Sequence, residues 1–171
     1  MLKKIYLYLI LLFVFAIMLL NLWSSRNEMY KKVVFQLQQD VSDTLISIEK
    51  FQAQTNMQTL TNAMANFGGL ESSYLNWLNC INEYHIDQAT QHNLLSIQEE
   101  IIKSRKSILL AMDSSELRAE YSLNGELIKQ ELQRLERIKS LLNYENLKNK
   151  SQINKSFSPS SLDDIIIENN N

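Results

Sequence analysis

Ile5–Trp23, IYLYLILLFVFAIMLLNLW, carries no charged side chain and one strongly polar one, Asn21. At about 1.5 Å of rise per residue these residues would extend roughly 28 Å, close to the roughly 30 Å hydrocarbon core of a bilayer. The run is apolar on every side, whereas a helix on a soluble core keeps a polar face. Helix is the conformation that satisfies every backbone N–H and C=O inside a single spanning segment. Tyr6, Tyr8 and Trp23 stand near its two ends, where aromatic rings favour the headgroup level. A cleavable signal peptide shares the basic start and the apolar run. This run is longer than the usual 7–15 apolar residues or so, and bulky Leu22 and Trp23 precede the nearest small residues, Ser24 and Ser25. The reading is a retained membrane anchor. Lys3 and Lys4 precede it, and Arg26, Lys31 and Lys32 follow, partly offset by Glu28. We read the N-terminus as cytoplasmic and the C-terminal part as extracytoplasmic.

Outward from the anchor, the composition points to long helices. Three Gly and one Pro in 171 residues leave little material for turns and sheets. The net charge of −2 gives no support for a nucleic-acid partner. Its distribution is uneven: between Val33 and Glu100 the single base Lys50 stands against Asp40, Asp43, Glu49, Glu71, Glu83, Asp87, Glu99 and Glu100, while bases outnumber acids from Ile101 to Ser156. The expectation is an acidic first half packing beside a basic second half, the alternative being a basic strip for an anionic partner. Cys80 is the only cysteine, which excludes an internal disulfide.

Apolar residues then recur at spacings of three and four. The first stripe is Tyr30, Val34, Leu37, Val41, Leu45, Ile48 and Phe51; it weakens over Gln52–Thr61 and resumes at Met64 and Phe67. Gly68-Gly69 is read as the helix end, since glycine accepts the left-handed conformation of a C-terminal cap. The second stripe is Leu70, Tyr74, Trp77, Leu78, Ile81 and Tyr84. It continues, after a polar waist at Asp87–Asn93, through Leu94, Leu95, Ile101, Ile102, Ile108, Leu109 and Met112. The third follows a capping arrangement at Asp113–Glu116 and comprises Leu117, Tyr121, Ile128, Leu132, Leu135, Ile138 and Leu142. Glu131 with Arg134 and Glu136 with Lys139 are read as pairs on its solvated face, and Asn124-Gly125 as a kink or division. From Asn146 onward Asn, Lys and Ser dominate, with one apolar island at Leu162–Ile167.

The fold class is therefore all-α. A transmembrane helix precedes an elongated antiparallel bundle of three long helices, or four if the waist is a loop, and a disordered tail ends the chain. The boundaries are 1–4 for the N-terminal flank, 5–23 for the membrane helix, 24–147 for the bundle and 148–171 for the tail. In outline this resembles the extracytoplasmic helical bundles of chemoreceptors. It differs in lacking a second membrane segment and a cytoplasmic signalling half, and no residue is carried across.

No motif for chemistry emerges. The glycines cannot build a phosphate loop. Cys80, His85, Asp87 and His92 match no zinc spacing, and two histidines seven apart lie about 10 Å apart along a helix. Asp40 and Asp43 are carboxylates on a solvated face with no base beside them. No cofactor, metal or enzymatic activity is expected. Tyr74, Trp77 and Tyr84 share a face and are either core or the wall of a ligand groove. With a turn at Gly68-Gly69, Trp77 should approach Leu60 and Tyr74 should approach Met64. The functional expectation is a single-pass scaffolding protein of a bacterial envelope. Its partners are the lipid bilayer through residues 5–23 and one or more proteins, a second copy of the chain included. The alternative is an extracytoplasmic small-ligand sensor.

Overall fold

A computed structural model describes residues 2–82, 86–111 and 124–158, and the side chains of these except 2–5 and 7. The chain is all-α: α1 spans Leu2–Ala53, α2 Met57–Asn82, α3 Gln88–Leu110, α4 Gly125–Leu141, α5 Tyr144–Leu147 and α6 Lys150–Ser156. Two compact units divide it at Lys32 and Val33.

The first unit holds the N-terminal part of α1. It includes a stretch long and apolar enough to cross a membrane, and none of that window is buried. Its exposed side chains include Leu9, Ile10, Leu11, Leu12, Phe13 and Phe15. Such a surface is stable only in an apolar medium or under a cover.

Among the described residues the second unit is built on four longer helical segments, the C-terminal part of α1 with α2, α3 and α4. Its neighbours are fixed by contacts between named residues. Asn66 Nδ2 donates to the Asp43 carbonyl (3.1 Å), joining α2 to α1. The Tyr74 hydroxyl donates to the Leu94 carbonyl (2.8 Å), and Arg105 pairs with Glu71 (3.1 Å), joining α2 to α3. Arg134 meets Glu100 (3.5 Å) and the Asn124 N–H donates to the Ala111 carbonyl (3.2 Å), joining α4 to α3. A groove lined by Gln38, Val41, Glu136, Lys139 and Leu142 brings α4 back beside α1. In the α2–α3 and α3–α4 pairs one residue number rises as the other falls, so the neighbours are antiparallel.

The helices pair because each carries a seam at alternating spacings of three and four. The seams are Val34, Leu37, Val41, Thr44, Ile48 and Phe51 on α1; Leu60, Ala63, Phe67, Leu70, Tyr74, Trp77 and Ile81 on α2; Leu94, Ile97, Ile101, Ser104, Ile108 and Ala111 from α3 onward; and Ile128, Glu131, Leu135, Ile138 and Leu142 from α4 onward. Every one of these residues is buried. A 3.5-residue repeat keeps one stripe facing a partner helix over many turns.

Three expectations are corrected. Gly68-Gly69 does not end a helix: it lies inside α2, and the chain reverses at 54–56 instead. Asn56 makes that turn, because its Oδ1 accepts the Thr59 N–H (2.9 Å) while Thr59 Oγ1 donates to the Gln54 carbonyl (2.6 Å). A polar side chain thus begins α2 where no glycine is needed. With Leu60 and Trp77 on one helix, the proposed Trp77–Leu60 and Tyr74–Met64 approaches fall with the turn. The polar waist is the second correction. Of the three or four long helices expected, four are present among the described residues, because α2 and α3 are separate. The division falls before Gln88, and residues 88–93 of the waist are the first turns of α3 instead of a loop.

The third concerns the start of the tail. Residues 150–156 form α6, and Leu147, Ile153 and Phe157 are buried. The folded part therefore reaches past 148. The capping arrangement at Asp113–Glu116, the stripe residues Leu117 and Tyr121, and the island Leu162–Ile167 lie outside the described residues. Asn124-Gly125 proves to be a helix start, with Asn124 Oδ1 accepting the Leu127 N–H (3.2 Å).

Candidate functional site

The aromatic face singled out from the sequence lies on the C-terminal half of α2. Tyr74 and Trp77 are both wholly buried, their ring centroids 5.5 Å apart and tilted by 55°. Tyr84 lies outside the described residues, as does His85. Phe157, just past α6, closes the face from the other side, 6.1 Å from Trp77 and itself wholly buried. Asn93 Nδ2 donates to the Phe157 carbonyl (2.8 Å), which fixes the backbone there. The arrangement is a filled aromatic cluster, with the Tyr74 hydroxyl satisfied by the Leu94 carbonyl. Burial pushes the Tyr74 phenol well above its ordinary value, because the phenolate would lose its hydration. Phe157 was missed in the sequence because the Asn- and Lys-rich composition around it masks one aromatic ring.

The other candidate residues do not converge. Asp87 is the N-cap of α3, with Oδ1 accepting the Thr90 N–H (2.8 Å) and Oδ2 the Thr90 hydroxyl (3.0 Å). These two hydrogen bonds hold its carboxyl below the ordinary value. His92 is exposed on α3, and Cys80 is a free, half-buried thiol on α2. Asp40 accepts from Gln36 (2.9 Å). Among the described residues, no three His, Cys, Asp or Glu side chains gather as a metal site would require.

Two further grooves flank α2 among the described residues. An open polar groove of about 340 Å³ runs between α1 and α2, lined by Asp43, Ile46, Lys50, Thr59, Asn62 and Asn66. A more apolar groove of about 330 Å³ lies between α2 and α3, where Leu75 and Leu95 are exposed beside Leu78, Ile86 and Leu94.

The bundle interior also holds charge that the sequence reading placed outside. Glu131 occupies a seam position and is 2% exposed. Arg134 Nη1 spans its carboxylate at 3.1 and 3.0 Å, Arg134 Nε meets Glu100 at 3.5 Å, and Lys103 approaches Glu100 at 2.7 Å. The signal for this was the spacing of Ile128, Glu131 and Leu135, which puts the glutamate on the buried stripe. No protein-family profile, curated protein or solved structure matches the chain.

Proposed function

We propose that this chain is a non-enzymatic, single-pass anchored interaction module of a bacterial cell envelope. In this reading residues 5–23 fix it in the bilayer, the N-terminus is cytoplasmic, and the four-helix unit presents an extracytoplasmic surface to a protein partner or a second copy. The observation that carries the reading is the closed state of the aromatic face. Tyr74 and Trp77 are core, covered by Phe157, and do not wall an open groove. Exposed Phe35, Ile46, Leu75 and Leu95 supply apolar contact surface on the same unit.

Two experiments test it. Replacing Leu11→Arg and Val14→Arg together should release the chain from carbonate-washed membranes, since each central charge costs about 2.5–3.5 kcal/mol on insertion scales. A double variant that stays in the membrane pellet would contradict the anchor. Cross-linking in intact cells, followed by membrane extraction and mass spectrometry, should then return the same protein partner, or a dimer of the chain, in replicate preparations. A chain recovered only as an uncross-linked monomer would count against a scaffolding role.

The second reading, a small-ligand sensor, draws on the polar groove between α1 and α2. Asp43 and Lys50 put one carboxylate and one ammonium on its rim, a pattern suited to a small zwitterion. Thermal shift of the detergent-solubilised chain against free amino acids separates the readings. A saturable shift lost in Asp43→Asn and Lys50→Gln would favour the sensor.

A further inference from the structure

We propose that the buried Glu100–Arg134–Glu131 network is a register lock that selects one heptad alignment of α4 on α3. The connections on either side of α2 are short, residues 54–56 and 83–87, and tight connections fix which turns of neighbouring helices meet. Between α3 and α4 the chain has residues 111–124 to spend, enough to accommodate a slip of one heptad, about 10.5 Å. The apolar part of the seams would tolerate that slip. The observed contacts bring Ser104 level with Glu131, Ile101 with Leu135 and Ile108 with Ile128. Shifted by one heptad, Leu135 would face Leu94 or Ile108, and isoleucines and leucines would still meet one another.

The charges do not tolerate it. Glu131 and Glu100 are 2% and 3% exposed, and the Arg134 side chain between them is only 18% exposed. After a slip Glu131 would come level with Ile97 or Ala111, and Arg134 would leave Glu100 behind. Glu100 would keep Lys103, whose side chain is half exposed, but its second oxygen would lose the base it now faces. Glu131 would keep Arg134 as Glu100 keeps Lys103, each pair lying within one helix. The slip therefore removes the Arg134–Glu100 contact that crosses between helices and sets the buried charges against apolar neighbours. A polar group at one seam position is a recognised means of fixing register. The network also leaves two polar atoms without a hydrogen bond. Ser104 Oγ and Glu100 Oε2 are buried and find no hydrogen-bond partner among the described residues, Glu100 Oε2 facing Arg134 Nε as an ion pair at 3.5 Å. The polar layer is thus imperfectly satisfied, as expected of a device that chooses an alignment rather than one that maximises stability.

Distance measurement by double electron–electron resonance on the full chain in detergent micelles tests this. Nitroxides are placed by Lys106→Cys and Lys139→Cys in a Cys80→Ser background, both lysines being exposed. These positions are offset along the bundle axis, so a slip changes their separation by several Å. The charged chain should give one distance. Replacing Glu100→Leu, Glu131→Leu and Arg134→Leu together should keep the helical signal and add a second, displaced distance. A single unchanged distance in that folded triple variant would overturn the proposal. As a second variant, Glu131→Leu with Arg134→Leu leaves Glu100 to Lys103. Loss of helical signal in both variants would also overturn it, because the network would then hold the fold together instead of choosing its register.

Discussion

Asn56, Asp87, Asn124, Asn143 and Asn149 each place a side-chain oxygen on the backbone N–H three residues further on. These five residues punctuate a chain that has almost no glycine or proline with which to do it. An Asn or Asp at such a position satisfies a donor that the first helical turn leaves free, and it disfavours continuation of the preceding helix. Gly68 and Gly69, by contrast, sit mid-helix without positive φ, and a methyl group added at either would meet nothing within 4 Å. Their replacement by alanine should therefore stabilise α2 by about 0.5–1 kcal/mol each, through reduced backbone freedom in the unfolded chain. Thermal melting of Gly68→Ala, Gly69→Ala and the pair checks this. A fall in melting temperature would restore the helix end first read from the sequence.

At the scale of elements, the seams were legible and the breaks between them were not. Every residue of the first stripe, from Tyr30 to Phe51, is buried. Apolar spacing reports a helix face directly, because burial acts residue by residue. The turn at 54–56 was missed because Asn56 and Thr59 look like ordinary polar surface until their hydrogen bonds are seen. The weakening of the stripe over Gln52–Thr61 was its only trace. The aromatic site was legible in part, since Tyr74 and Trp77 share the α2 seam, while the contribution of Phe157 from beyond α6 depends on tertiary packing. The start of α3 carries a pH test. A carboxyl held below its ordinary value, 3.8 here, contributes stability that is present above that value and lost as pH falls through the lowered one. Between about pH 5 and about pH 3 the melting temperature of the natural chain should therefore fall further than that of Asp87→Asn, which keeps the cap without its titration. Parallel acid limbs for the two proteins would remove Asp87 from the account.

For the folded unit as a whole, closure of the bundle by residues 147–157 determines whether the aromatic cluster is core. Leu147, Ile153 and Phe157 bury their side chains, and Phe157 stands against Trp77, the largest side chain of the interior. Truncating a buried large aromatic costs about 3–5 kcal/mol, a large share of the roughly 5–15 kcal/mol that holds an ordinary domain together. Trp77→Ala and Phe157→Ala should each lower the melting temperature of the full chain in detergent. Because the two rings touch, their effects should fall short of additive by about 0.5–1.5 kcal/mol. Trp77 emission, isolated by Trp23→Phe, should shift to the red in Phe157→Ala as water reaches the indole. The same shift should follow removal of residues 149–171, since that deletion takes away α6 and Phe157 together. If Phe157→Ala left both the melting temperature and the emission unchanged, α6 would not be closing the bundle. Trp77 would then be free to line a groove, and the sensor reading would gain what the interaction module lost.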